Sequence, residues 1–273
     1  RMYNGSGALG KLDLWLYPYY RADKAAGRLT DEEAIFHLQC LNISDPQYIH
    51  IGGIDEDGRD ASNELSFLLL EAVHGLKIPA NISIGVHDGM NPALMRRAVE
   101  LLFLDKLGIP RFFGAETIAN GYARNGIPLR IARQRQQVGC HWTCLPGIEY
   151  SFSDVIKINF AKTLNVALRE MLKDCAPPSV VSLWSRFERH LRHVVDVVAQ
   201  GIDLHMEHKH RYFPELVLDL LCHGPLEKGV DASHGALEYN TICVDGAALA
   251  TAADSLAALE TRVESEGRLN WEQ

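Results

Sequence analysis

Short apolar segments alternate with longer helical patterns in the first half of the chain. Residues 81–87 alternate apolar and polar side chains as a strand does. Residues 91–102 follow with helical spacing and with Pro92 in the first turn, and residues 108–114 then indicate a turn and another strand. Strands that alternate with helices of ten or more residues predict an α/β fold.

Two other parts of the sequence carry clear helix signals. Thr30, with Glu33 three residues later, has the pattern of a capping box at the start of a helix. Helical spacing also covers residues 154–173 and residues 179 to about 210. Ser153 or Asp154 is the expected N-cap of the first of these two helices.

The composition limits the class of protein. With 273 residues, 47% hydrophobic and 23% charged, the chain can bury the core of one large or two ordinary globular domains. A net charge of -8 disfavours nucleic acid as a partner, and neither a signal peptide nor a membrane-spanning apolar run is recognisable. The six cysteines are scattered without a CxxC pair, which predicts reduced thiols and a cytoplasmic location.

Residues 138–147, Val-Gly-Cys-His-Trp-Thr-Cys-Leu-Pro-Gly, contain the most distinctive motif. A thiol at Cys140 that follows Gly139 and is closed by Pro146-Gly147 predicts a tight loop that presents sulfur to a cavity. Free cysteine is nevertheless among the residues most often buried as a small apolar group. The residue types alone therefore favour burial of Cys140 over reactivity.

The wider motif resembles the active-site cysteine loop of glycyl radical enzymes, the pyruvate formate-lyase-like family. Gly139-Cys140 is followed by Pro146-Gly147, by Asp154 and by the run Asn-Phe-Ala-Lys at 159–162. Three more stretches are similar to family signatures in the same order: residues 10–23, 51–67 and 233–259. The resemblance extends over essentially the whole chain, and its subgroup has Gly-Cys-His-Trp in the cysteine loop.

The resemblance implies a partial α/β barrel of the glycyl radical enzyme type, which is built of two half-barrels. We expect residues 1–273 to be a single barrel fragment without the N-terminal part of the barrel and without the C-terminal glycyl radical domain, because no Arg-Val-x-Gly-Tyr motif occurs. The full-length protein would carry a glycyl radical, installed by an S-adenosylmethionine/iron-sulfur activating enzyme. That activating enzyme and a small organic substrate are the expected partners, a homodimer is a further possibility, and the fragment alone is expected to be inactive.

The resemblance also implies roles for four residues. Cys140 would become the thiyl radical that abstracts hydrogen from the substrate. Trp142 stands where family dehydratases carry a Glu that acts as acid or base, so either His141 takes that role or the reaction differs. Trp142 would line an apolar substrate pocket. Asp154 falls where those enzymes have a substrate-contacting Asp, and the helix N-cap remains its equal alternative.

The same comparison indicates the reaction class. Pyruvate formate-lyase uses two adjacent cysteines in this loop, whereas Cys140 stands between Gly139 and His141. True formate acetyltransferase activity is therefore not expected. We expect C-C or C-X bond cleavage, by a decarboxylase or by a dehydratase or related lyase.

Two alternatives stay open at the level of the sequence. His205, His208 and His210 lie within six residues, and His205 and His208 share a helical face, so a metal-binding protein is possible. The chain could also be a catalytically inert scaffold fragment.

Overall fold

Four parallel strands form the centre of the first of two structural units. The structure is a computed structural model that describes residues 8–76, 80–139 and 142–271. The first unit consists of Arg1–Ser153, Leu220–Gly224 and Leu237–Thr241. The second consists of Asp154–Asp219, Pro225–Ala236 and Ile242–Gln273.

The parallel sheet of the first unit follows the order of the chain. Its strands are β1 (Ala8–Lys11), β2 (Tyr48–Gly52), β3 (Ile82–Val86) and β4 (Arg111–Gly114). Ile49 pairs with Ile82 and Ile84 pairs with Phe112. The predicted strands at 81–87 and 108–114 are confirmed, and so is the α/β fold class, because helices connect successive parallel strands.

Helices of the first unit occupy the connections between these strands and the segment that follows them. They are α1 (Leu12–Trp15), α2 (Tyr17–Ala25), α3 (Asp31–Ser44), α4 (Glu64–Leu76), α5 (Pro92–Asp105), α6 (Ala115–Arg124) and α7 (Leu129–Ala132). A hairpin of β5 (Gln136–Val138) and β6 (Trp142–Cys144) comes next. The core joins buried side chains of the sheet to those of the helices, such as Ile51, Leu69 and Leu94.

Local capping explains where two of these helices begin. The Thr30 hydroxyl accepts from the Glu33 amide (3.2 Å), while the Thr30 amide donates to the Glu33 carboxylate (2.8 Å). This capping box confirms the predicted start of α3. In α5, the Asn91 side chain accepts from the Ala93 amide (2.9 Å), and Pro92 occupies the first turn as predicted.

Helices that pack on one another build the core of the second unit. Its helices are α8 (Phe160–Met171), α9 (Val180–Tyr212), α10 (Leu216–Leu221), which ends in the first unit, α11 (Pro225–Lys228) and α12 (Leu249–Ala258), with short turns of 3-10 helix (Ala232–His234) and π-helix (Leu259–Ser265). Its strands are β7 (Glu149–Asn159) and β8 (Tyr239–Ala247), both of which begin in the first unit. Leu164 and Met171 of α8 pack with Leu183 and Phe187 of α9. The prediction of a long helix from residue 179 is confirmed by α9, whose N-cap is Ser179.

The predicted start of the preceding helix at residue 154 is wrong. Residues 154–159 belong to strand β7, which pairs with β8, and α8 begins at Phe160. Asn159 is its N-cap, since its side chain accepts from the Lys162 amide (2.8 Å). Apolar residues at 155, 156 and 158 fit strand as well as helix, and β-branched side chains favour the strand. Neither Ser153 nor Asp154 therefore caps this helix.

Among the helices of the described residues, none combines the length and the apolar character that a membrane crossing requires.

Candidate active site

The hairpin β5–β6 frames the cysteine motif. Gln136 pairs with Cys144, Gln137 with Thr143 and Val138 with Trp142 in antiparallel register. Gly139 follows β5 with a φ of 56°, a left-handed conformation that glycine adopts without strain. Cys140 and His141 stand next in the sequence and lie outside the described residues, so their predicted roles stay predictions.

A buried ion pair holds the base of this hairpin. Arg135 Nη2 lies 2.7 Å from Glu149 Oε1, and the two side chains are 1% and 0% exposed. Arg135 also donates to Thr143, through Nε to Oγ1 (2.7 Å) and through Nη2 to the carbonyl oxygen (2.9 Å). The guanidinium lies over the ring of Tyr122, with Cζ 3.5 Å from the centroid.

The carboxylate of Glu149 has further donors. Its Oε2 accepts from the Leu145 amide at 2.6 Å, and its Oε1 accepts from the hydroxyl of Thr241. A buried ion pair is stable only when hydrogen bonds satisfy both charged groups, and this pair meets that condition on the carboxylate side. The pair therefore fixes β5, β6 and the start of β7 to one another.

Two contacts tie the hairpin to the parallel sheet. Gln136 Oε1 accepts from the Lys11 amide at the end of β1 (3.0 Å). The Gln137 amide donates to His50 Nδ1 in β2 (3.3 Å). Because both contacts lie within four residues of Cys140, they set the position from which the cysteine segment starts.

His50 is a neutral side chain. Its Nδ1 accepts a backbone N-H, so its proton is assigned to Nε2. Burial, and secondarily the charge of Lys11, lower the pKa of His50 well below its usual value. Because the imidazole is neutral and only 2% exposed, it accepts the hydrogen bond from the Gln137 amide across the neutral pH range.

Two more ionisable groups lie where β1 leads into α1, at Lys11 and Asp13. Asp13 accepts from the Gly52 amide and from the Ser66 hydroxyl, each at 2.6 Å, and burial raises the pKa of its carboxyl to about 6. Lys11 Nζ donates to the Ile54 carbonyl oxygen (3.1 Å), and burial lowers the pKa of its ammonium group. Both groups satisfy backbone atoms at the edge of the sheet, so their contacts are structural.

An open cleft lies at the base of the hairpin. It has a volume of about 410 Å³ and is lined by Lys11, Trp15, Asp55 and Gln136, together with Leu145 and Pro146 of the segment after β6. Of the two residues predicted to contact substrate, Trp142 is half-buried in β6 beside the cysteine position. Asp154 lies in β7, and its side chain is outside what the structure describes.

The histidines of the metal-binding alternative lie along α9. His205 is exposed, His208 is half-exposed, and His210 stacks on His234 with ring centroids 3.7 Å apart. Across residues 8–76, 80–139 and 142–271, no group of three His, Cys, Asp or Glu side chains is close enough to share a metal ion. The described structure thus gives the metal-binding alternative no support.

Sequence reasoning missed His50, Gln137 and the pair of Arg135 with Glu149. One signal was present: His50 is a polar residue inside the apolar run Ile-His-Ile of a buried strand. Arg135 and Glu149 gave no such signal, because they lie 14 residues apart on either side of the hairpin.

Comparisons with known proteins agree with this architecture. The family model described as pyruvate formate lyase-like matches residues 2–273. The chain is 25% identical over 295 residues to (2S)-3-sulfopropanediol dehydratase of Klebsiella oxytoca, covering 95% of this chain and 36% of the relative. It is 25% identical over 289 residues to trans-4-hydroxy-L-proline dehydratase of Clostridioides difficile, covering 93% and 36%.

A solved structure gives the same result for the fold. The crystal structure of a glycyl radical enzyme from Archaeoglobus fulgidus superposes with a TM-score of 0.82 at 25% identity, over 96% of this chain and 38% of that chain. The chain thus spans about a third of the length of the relatives it matches. This coverage agrees with the expected partial barrel of the glycyl radical enzyme type.

Proposed function

Because the chain belongs to the pyruvate formate lyase-like family, we propose that it is the part of a glycyl radical enzyme that carries the hydrogen-abstracting thiol, Cys140. The observation that carries the proposal is the β5–β6 hairpin, which is fastened at its base by the buried pair of Arg135 and Glu149. A reacting group needs supporting residues that hold its backbone in one position.

The proposed chemistry is hydrogen-atom transfer. The glycyl radical of such enzymes, installed by an S-adenosylmethionine/iron-sulfur activating enzyme, would take the hydrogen atom of the Cys140 thiol: the S-H bond would break, a C-H bond would form on the glycine, and Cys140 would become a thiyl radical. In its thiyl form, Cys140 takes a hydrogen atom from a substrate carbon, which forms an S-H bond and leaves the unpaired electron on carbon. The neighbouring C-C or C-X bond then breaks. Since the S-H bond and the C-H bonds concerned are comparable in strength, the product radical recovers its hydrogen from Cys140.

Three neighbouring residues complete the proposal. His141 donates or accepts the proton that the leaving group requires, because Trp142 occupies the position of the usual Glu. Trp142 supplies an apolar wall to the substrate, and its half-buried position in β6 supports that role. Asp154 contacts the substrate through its carboxylate; the N-cap alternative is removed because Asn159 caps α8.

The proposed reaction is a decarboxylation, a dehydration or a related lysis of a small organic molecule. A single cysteine between Gly139 and His141 argues against formate acetyltransferase chemistry, which uses two adjacent cysteines. Two relatives similar to this chain are named as dehydratases. Cys40 and Cys175 are free, exposed cysteines, which supports the proposed cytoplasmic location. A homodimer is proposed as the assembly, to be tested by the molar mass in solution.

The test uses the complete open reading frame, activated without oxygen and screened with candidate acids and polyols. Cys140→Ser should retain a glycyl radical signal in electron paramagnetic resonance but lose turnover. The O-H bond of serine, unlike the S-H bond of cysteine, is not comparable in strength to the C-H bonds concerned, so serine cannot exchange hydrogen with the substrate. Cys144→Ser is the matched control, since Cys144 pairs with Gln136 at the base of the hairpin, and it should keep turnover. Turnover by Cys140→Ser would exclude the proposed role.

The isolated 273-residue chain provides a second test. It contains no Arg-Val-x-Gly-Tyr motif, so the activating enzyme should produce no glycyl doublet in it. A doublet in this chain would contradict the assignment of the radical to another segment.

A further inference from the structure

A small cavity lies between the hairpin and the parallel sheet of the first unit. It has a volume of about 10 Å³, and its lining includes His50 and Phe113 of the sheet and Arg135, Gln137 and Thr143 of the hairpin. A space of this size holds one water molecule and is too small for an organic ligand.

Three of the residues that line this space carry buried polar side-chain atoms without a hydrogen-bond partner. His50 Nε2, Arg135 Nη1 and both side-chain atoms of Gln137 are buried and have no hydrogen-bond partner within the described part of the chain. The three residues are 2%, 4% and 2% exposed. Each buried polar atom left without a partner costs about 1–3 kcal/mol, so several in one place indicate a shared ligand.

The chemistry of these atoms defines that ligand. His50 Nε2 is a donor, because Nδ1 accepts the Gln137 amide. Arg135 Nη1 and the Gln137 amide nitrogen are donors as well, whereas Gln137 Oε1 is an acceptor. A metal cation is disfavoured because the nitrogen atoms all carry protons. A water molecule can both accept a hydrogen bond from such donors and donate one to Gln137 Oε1, whereas an anion can only accept.

We propose that the cavity binds one ordered water molecule, which accepts a hydrogen bond from His50 Nε2 and donates one to Gln137 Oε1. The water joins β2 to β5 a second time, next to the direct bond between the Gln137 amide and His50 Nδ1. Both ring nitrogens of His50 are then engaged, and this fixes the tautomer and the orientation of the ring. The inference does not depend on the reaction that the protein catalyses.

A crystal structure that shows ordered water tests the proposal directly. We expect one density peak within hydrogen-bond distance of His50 Nε2 and the Gln137 side chain. Direct pairing of the two side chains without a peak would overturn the proposal. Crystals grown with bromide would distinguish a halide, because an anomalous signal at this peak also contradicts bound water.

Variants test the site in solution. Oxygen-17 relaxation dispersion counts water molecules that stay bound longer than the protein tumbles. Gln137→Met removes both unpartnered side-chain atoms but keeps the amide that donates to His50, and it should lose one long-lived water. Gln134→Met is the matched control, because Gln134 is exposed and does not line this cavity. An unchanged water count in Gln137→Met would overturn the proposal, and the crystal experiment decides the case if that variant does not fold.

Discussion

Replacement of Arg135 by methionine tests whether the base of the hairpin is held by its buried charges. The substitution removes the guanidinium that pairs with Glu149 and that donates to Thr143. It also removes the cation that lies over the ring of Tyr122. Glu149 keeps the Leu145 amide and the Thr241 hydroxyl as donors, but its negative charge becomes buried without a positive partner.

The magnitude follows from the burial of both side chains. Removal of one partner from a buried, hydrogen-bonded ion pair costs about 3–5 kcal/mol of unfolding free energy. Arg130→Met is the matched control: Arg130 pairs with Glu56, and the two side chains are 66% and 42% exposed. An exposed pair contributes about 0–1 kcal/mol, so the two variants should differ by at least about 2 kcal/mol.

Urea unfolding of the purified variants, followed by circular dichroism, measures this difference. The double variant Arg135→Met with Glu149→Leu removes both charges and should recover part of the lost stability, because no unpaired charge remains buried. If Arg135→Met loses less than about 1 kcal/mol, or if the double variant is less stable than Arg135→Met, the pair does not hold the hairpin as we argue.

Three further predictions concern single contacts. Burial raises the pKa of Asp13 from 3.8 to about 6, so the folded state binds more protons than the unfolded state between these values. The contribution of Asp13 to the unfolding free energy should therefore fall as pH rises from about 4 to 6, by up to roughly 3 kcal/mol. Urea titrations of the wild type and of Asp13→Asn should differ by this contribution, and identical pH dependence would contradict it. Gly53→Ala should lose more stability than Gly27→Ala: both glycines have positive φ, but only at Gly53 would a Cβ meet His50 Nε2 at 3.1 Å. Thermal unfolding of both variants checks this, and equal losses of stability would show that a Cβ at residue 53 does not crowd His50. Asn159→Ala should destabilise the second unit by about 1 kcal/mol through loss of the N-cap of α8, and an unchanged denaturation midpoint would argue against that cap.

The sequence predicts those parts of the structure that local signals determine. The capping box of Thr30 and Glu33 and the Pro-initiated helix α5 depend on residues within one turn, and both are confirmed. The helix predicted over residues 154–159 is instead part of strand β7. The apolar spacing of these residues fits either helix or strand, and the pairing of β7 with β8 decides between the two.

The candidate site depends on contacts that local patterns do not contain. Lys11 and Gln136 are 125 residues apart, and His50 and Gln137 are 87 residues apart. Neither residue type nor spacing identifies such a partner from one sequence. The cysteine motif itself was recognised through resemblance to a family, since the residue types alone favoured a buried, unreactive Cys140.

The attachments of the hairpin also bear on the pH dependence of any reaction at Cys140. His50 stays neutral because it is buried. The protons in the two hydrogen bonds of Gln136 and Gln137 are backbone amide protons, which do not titrate. Asp13 titrates near pH 6, but its partners are Gly52 and Ser66 at the junction of sheet and helix, so its protonation does not break a bond to the hairpin. A pH-rate profile with an inflection between pH 6 and 8 would therefore report groups beside the reacting thiol, with His141 as the first candidate, and not the loss of the support on which the hairpin rests.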